Sequence, residues 1–309
     1  MTPDPGETGE SETTPALEKL LRVLDLEPIE ENVFRGQNES TRMGRLFGGQ
    51  VAAQALSAAC RTVSGWLPHS LHAYFLRGGD PQRPVLLTVD RIRDGSSFAT
   101  RRVVAVQHGR AIFNMSVSFH KVEDGFEHQD PMPEAPAPTD LPSWEDRARE
   151  DLERVPVYMR EWMLAERAIE LRSTEPPSWL SSEASHNANY VWLRANGKLP
   201  DDPILHRCLL AYASDMGFVD NLYRPHRKSG ARNLMMASLD HALWFHRDFR
   251  LDDWLLYVQR SPSAAGARGF AQGTVFDARG EMVASVAQEG LMRRVPDPPR
   301  GGASEGTKP

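Results

Sequence analysis

The chain carries one long internal repeat, and that repeat limits its fold more than any single residue does. SLHAYFLR (70–77), PVLLTVDRI (84–92), SFATRRVVAVQ (97–107) and RAIFNMSVSFH (110–120) are β-branched or alternating and read as strands, with turns at Asp94-Gly95 and His108-Gly109. Ahead of them Gly48-Gly49 opens QVAAQALSAACRTV, an apolar stretch long enough for about four helical turns. Its small residues predict close wrapping. The same order returns in NLMMASLDHALWFH (233–246), WLLYVQRSPSA (254–264), ARGFAQGTVFD (267–277) and EMVASVAQEGLMR (281–293), again behind a helical pattern, with a turn at Arg279-Gly280. Placing Leu86 on Leu255 gives an offset of 169 and placing Gly109 on Gly280 gives 171, so a two-residue insertion aligns the copies. A repeat this long means a duplicated domain, since solenoid repeats run about 20 to 50 residues. The expected architecture is α+β: a helix and an antiparallel sheet, twice, with a ligand cleft where the copies meet.

The second helical pattern, DPILHRCLLAYASDMGFV (202–219), contains one anomaly. Asp202 can cap it and Pro203 suits its first turn, after which Ile204, Cys208, Ala211, Asp215 and Phe218 share a face. A buried carboxylate is costly unless it is paired or used, and burial raises its pKa. Asp215 is therefore the lead for chemistry. The plainer alternative is that Met216-Gly217 breaks the helix and lets Asp215 reach water.

Boundaries follow from composition. Residues 1–13 and 296–309 are rich in Pro, Gly, Ser and charge and read as disordered tails. The first copy occupies 14–122, led by a short amphipathic helix capped by Thr14 and Pro15, and the second occupies 190–295. Between them, 123–189 reads as a Pro-rich link followed by a charged helical stretch from Trp144 to about Leu171. A net charge of -6 with no basic run argues against a nucleic-acid partner. Two cysteines, Cys60 and Cys208, sit in apolar helical patterns and suggest neither a disulfide framework nor a zinc cluster. With no apolar run long enough for a leader or a membrane span, a soluble cytoplasmic protein without membrane insertion is expected.

The words of the chain are more specific than its pattern. FRGQNES, LFGGQVAAQAL, HAYFLRGGD, GFEHQDPMPEAPAP, WLRANGKLPDD, AYASDMGF, SLDHALWFHR, DWLLYVQRSPSAAGARGF and VASVAQEGLMR, in this order, closely resemble the type II acyl-CoA thioesterase family of bacteria and eukaryotic peroxisomes. The likeness runs from about residue 17 to about 294 and is weakest from 140 to 185. It implies a double hot-dog fold, an acyl-CoA substrate, no cofactor or metal, and a homo-oligomer, dimer or tetramer. It also implies a catalytic set of an acid, a hydroxyl and a glutamine. The motifs place these on Asp215, on Ser238 where the family usually has Thr, and on Gln288.

Those groups suit direct hydrolysis of a thioester, with Asp215 taking a proton from water while Gln288 and Ser238 position water, carboxylate or thioester oxygen. The backbone N–H groups of Gly48 and Gly49 offer donors for the oxyanion, the plainer reading being that these glycines let helix and sheet pack. Arg268 could meet a phosphate of coenzyme A, or could be an ordinary surface arginine. His72 and His241 stand 169 apart in matching places, and a duplicated histidine reads as a structural hydrogen bonder. Two other functions compete. A non-catalytic acyl-CoA binding or sensor protein would keep the cleft, and a hot-dog enoyl-CoA hydratase would need an Asp and His pair on one element, which Ser214 and Met216 beside Asp215 do not supply.

Overall fold

The computed structural model describes residues 13–38, 44–177, 180–229 and 234–295, without the side chains of 158, 159 and 162. Apart from Thr13, both tails expected to be disordered lie outside the described residues, as do Glu39 and Ser40 of the FRGQNES motif. Helix α1 (Pro15–Leu24) starts at Thr14, whose side chain accepts from the Leu17 N–H. It buries Leu17, Leu20 and Leu24, as their spacing predicts, and Val23 in place of the expected Leu21, which is half-buried. Helix α2 (Gly48–Cys60) buries eleven of its thirteen residues. Strands β3 (Leu67–Phe75), β4 (Val85–Asp94), β5 (Phe98–Gln107) and β6 (Arg110–His120) follow close to their expected bounds.

Helices α3 (Trp144–Glu150) and α4 (Val157–Leu164) lie in the stretch between the copies. The second copy contains α5 (Pro203–Ala213), β11 (Leu255–Ala265), β12 (Arg268–Phe276) and β13 (Met282–Arg294). The segment read as one strand from 233 is two, β9 (Leu234–Ser238) and β10 (Asp240–Phe245), because Leu239 interrupts the pairing. Two short pairs were not legible. β1 (Glu27–Glu30) and β2 (Val33–Gly36) extend the first copy, while β7 (Ile169–Ser173) and β8 (Asn189–Ala195) extend the second. β7 falls inside the stretch read as a link, where the helical reading ran to about Leu171; the helix ends at Leu164 and β7 belongs to the sheet instead, held by pairing with β8 from Ile169↔Ala195 to Ser173↔Val191.

All thirteen strands among the described residues join one antiparallel sheet, in the order β1-β2-β4-β5-β6-β3-β10-β13-β12-β11-β8-β7, with β9 on β13. The order is the same in each half when read from its outer edge, and the halves meet where β3 pairs with β10. α2 and α5 pack against one another. Their approach depends on small residues: a Cβ at Gly49 would stand 2.5 Å from the Tyr212 carbonyl oxygen. Cys60 and Cys208, one from each helix, are free and buried.

Candidate active site

α5 forms as its sequence dictates. The Asp202 side chain accepts from the Ile204 N–H at 2.9 Å, Pro203 occupies the first turn, and Cys208 to Ala211 are buried. The helix stops at Ala213, earlier than the apolar pattern suggests. Gly217, at φ 68°, turns the chain into a short 3-10 segment, Phe218–Leu222, and a Cβ there would meet the Trp144 ring at 2.6 Å. Asp215 therefore lies just past the helix end. It does not reach water freely, being only 7 % exposed.

The N-terminus of α2 faces this acid. Phe47 precedes α2 without a side-chain cap and the first turn holds no acidic residue, so its N–H groups need an acceptor from elsewhere. Asp215 supplies one, accepting from the Gly49 N–H. Gly48 has no room for a side chain, because a Cβ would stand 2.8 Å from Asp215 Oδ2 and 2.8 Å from the Phe75 ring. Phe47 and Tyr212 meet edge to face at 5.0 Å, fixing the start of one helix against the end of the other.

Two further side chains converge on the same carboxylate. Gln288, buried on β13, donates through Nε2 to Asp215 Oδ1 at 3.1 Å. Ser238, half-buried at the end of β9, donates through Oγ to the same oxygen at 3.5 Å. Asp215 and Gln288, 73 positions apart in the chain, are thus bonded directly. Burial pushes the Asp215 pKa up to about 6, against the pull of the Gln288, Gly49 and Ser238 hydrogen bonds and the Arg45 charge. At neutral pH such a carboxylate is ionised yet basic enough to take a proton. Among the described residues no three His, Cys, Asp or Glu side chains converge as metal ligands, and no helix is long and apolar enough to cross a membrane.

The sequence-derived residues fall in three places. Asp215, Ser238 and Gln288 come together with Gly48 and Gly49. Arg268 stands apart, bonding Glu289 at 2.8 Å and lining a cavity of about 220 Å³ with Tyr223, His226, Leu234 and Arg294. His72 and His241 do not occupy equivalent places: His72 is exposed, edge-on to Trp244, whereas His241 is fully buried. A one-residue slip of the offset turns a strand residue to the other face. Two groups beneath Asp215 carried no sequence signal. Ser214 bonds His241 Nε2 at 2.9 Å, and the buried Tyr257 hydroxyl donates to the Ser214 carbonyl at 3.3 Å.

Comparison with known proteins bears on this arrangement. Residues 165–291 match the acyl-CoA thioesterase family model, and residues 38–120 match the model of the acyl-CoA thioesterase N-terminal domain. Acyl-CoA thioesterase 2 of Haemophilus influenzae is 37% identical, covering 90% of this chain and 98% of its own. Human acyl-coenzyme A thioesterase 8 is 39% identical over 89% of this chain and 88% of its own. Among solved structures, acyl-CoA thioesterase II TesB2 from Mycobacterium marinum has a TM-score of 0.74 and 44% identity, covering 89% of this chain and 98% of that one. A hot-dog protein of unknown function from Alicyclobacillus acidocaldarius, at 20% identity, shares the fold alone, with a TM-score of 0.71 over 90% of this chain and 99% of that one. With both halves matched, and two helices lying against one sheet in the hot-dog manner, the chain belongs to the acyl-CoA thioesterase family.

Proposed function

We propose that the protein hydrolyses the thioester of fatty acyl-CoA to a free fatty acid and coenzyme A by direct attack of water. The observation that carries the reading is the buried Asp215 carboxylate, held on one oxygen by both Gln288 and Ser238. Asp215 accepts a proton as the water oxygen bonds to the thioester carbon. The tetrahedral intermediate then collapses, the carbon–sulfur bond breaks, and Asp215 returns the proton to the departing thiolate, so the base is regenerated. Gln288 and Ser238 fix the carboxylate and offer donors to the water or the thioester oxygen. No covalent acyl-enzyme is needed. Gly48 and Gly49 serve chiefly by admitting the α2 N-terminus to the carboxylate, and Arg268 marks a place where a coenzyme A phosphate could bind. The same reading takes the active form to be a cytoplasmic homo-oligomer, dimer or tetramer, whose size light scattering would measure.

Free thiol release from short to long acyl-CoA esters tests the reaction, with Asp215→Asn as the companion protein and circular dichroism as the check on folding. The parent is expected to turn over and the folded variant to lose at least about a hundredfold, the scale of a general base. A parent that binds acyl-CoA and releases no thiol would overturn the reading in favour of a binding protein.

A further inference from the structure

A glutamine amide has two orientations of nearly equal shape, and only one suits an ionised Asp215. Nε2 must face the carboxylate, as it does at 3.1 Å, because Oε1 in that place would set two acceptors together. Gln288 is buried, so its Oε1 cannot look to solvent to fix the choice. Neither Oε1 nor His241 Nδ1 makes a hydrogen bond to any group in the structure. These two buried atoms belong to cross-strand neighbours. β10 pairs Ala242 with Ala287 of β13, and the next step of that register sets His241 beside Gln288. Each buried atom therefore needs a partner, and a small side-chain rotation toward its cross-strand neighbour supplies one.

We infer that His241 is a positioning residue for the proposed hydrolysis: its Nδ1–H donates to Gln288 Oε1 and so holds the amide with Nε2 on Asp215. Ser214 completes the chain. Its hydroxyl lies 2.9 Å from His241 Nε2, and when it donates there the single proton of a neutral ring must sit on Nδ1. If the hydroxyl donates instead to the Ala211 carbonyl at 3.3 Å, the proton moves to Nε2 and the Gln288 amide loses its anchor. Burial depresses the His241 pKa to about 4, so the ring is neutral wherever the enzyme would work. His241 reaches Asp215 only through Gln288 or Ser214, which separates this role from that of a base.

This inference rests on the hydrolase reading, and two measurements keep their failures apart. In steady-state thiol release, His241→Leu should lower kcat about tenfold, the scale of one hydrogen bond, with KM within about twofold. His241→Asn, whose Nδ2 can replace the Nδ1 donor, should recover most of the loss. In a Gln288→Leu background, His241→Leu should cost nothing more, whereas a merely structural histidine would cost the same in both. Independently of turnover, 15N spectra of histidine-labelled protein should give the Nδ1–H form for His241 in the parent, shifting toward Nε2–H in Gln288→Leu. An Nε2–H ring in the parent, or an equal loss in both backgrounds, overturns the inference. A parent without activity overturns the hydrolase reading alone, because the labelled spectra still decide the hydrogen bond.

Discussion

α2 and α5 end in opposite ways, although each half of the chain builds its helix end from the same parts. Thr62 stands two residues past the end of α2, and Asp215 two past the end of α5. Beside Thr62, the neighbouring strands bring Leu71, Val117 and Arg101 abreast. Beside Asp215, the corresponding strands bring His241, Gln288 and Ala271. In the first half Arg101 fills the space, almost wholly buried. Its guanidinium donates to the Thr62 hydroxyl and carbonyl, to the Arg93 and Thr100 carbonyls and to Asp94. All its donors are used. The second half has no such plug, and leaves a raised carboxylate and an amide whose oxygen makes no hydrogen bond. On the proposed hydrolase reading, the difference separates structure from function: a buried polar network closed on itself adds stability and specificity, whereas one left incomplete keeps reactive capacity.

That contrast can be broken at several points, the largest effect first. Replacing Gln288 by Leu should cut kcat about a hundredfold, as loss of a preorganised donor does, while Thr62→Val in the other half leaves kcat within about twofold. Equal losses from the two would mean both helix ends serve the reaction. Asp215→Asn should raise stability. Its folded pKa, about 6, lies above the ordinary value of 3.8, so the stabilising contribution of the protonated form is complete below about pH 4 and is lost as pH rises through 6. Denaturant unfolding at pH 7.5 should therefore find the Asn variant more stable by on the order of 3 kcal/mol, at about 1.4 kcal/mol per pKa unit, with the gain vanishing near pH 4. The same ionisation should make kcat/KM of the parent fall tenfold per pH unit below about 6.

Arg101→Leu acts with the opposite sign, costing about 2 kcal/mol in the same unfolding assay because the Thr62 carbonyl loses its partner in a buried site. Its kcat should not change. Smallest of all, Ser238→Thr should raise kcat no more than about threefold, since the added methyl narrows rotation of a hydroxyl already 3.5 Å from Asp215. A larger gain would make hydroxyl orientation, and not the carboxylate, the limiting feature of the site.

The long strands were legible because β-branched residues and alternation mark them wherever they lie. The short edge pairs were not. Glu27–Glu30 is exposed at every position and so carries no alternation, and β7 follows a charged helical stretch that hides its five residues. Arg101 and Arg102 show the same limit at one place. Adjacent in sequence, they point to opposite faces, one buried and the other paired with Asp90 at the surface, and nothing in the two letters tells which is which. His72 and His241 mislead for the same reason, since a repeat read by offset is uncertain by a residue and a strand reverses face with each one.

Taken alone, the sequence determined the duplicated α+β plan, because hydrophobic period and turn residues are local and survive duplication. It also singled out Asp215, because an acid in an apolar pattern is anomalous before anything is folded. Only the tertiary structure decided that this acid is buried, that the α2 N-terminus caps it, and that Gln288 and Ser238 share one of its oxygens. It alone decided, too, that Arg101 closes the matching place in the other half. Depth, solvation and orientation belong to no residue by itself; they arise when strands and helices distant in the chain exclude water from the same point.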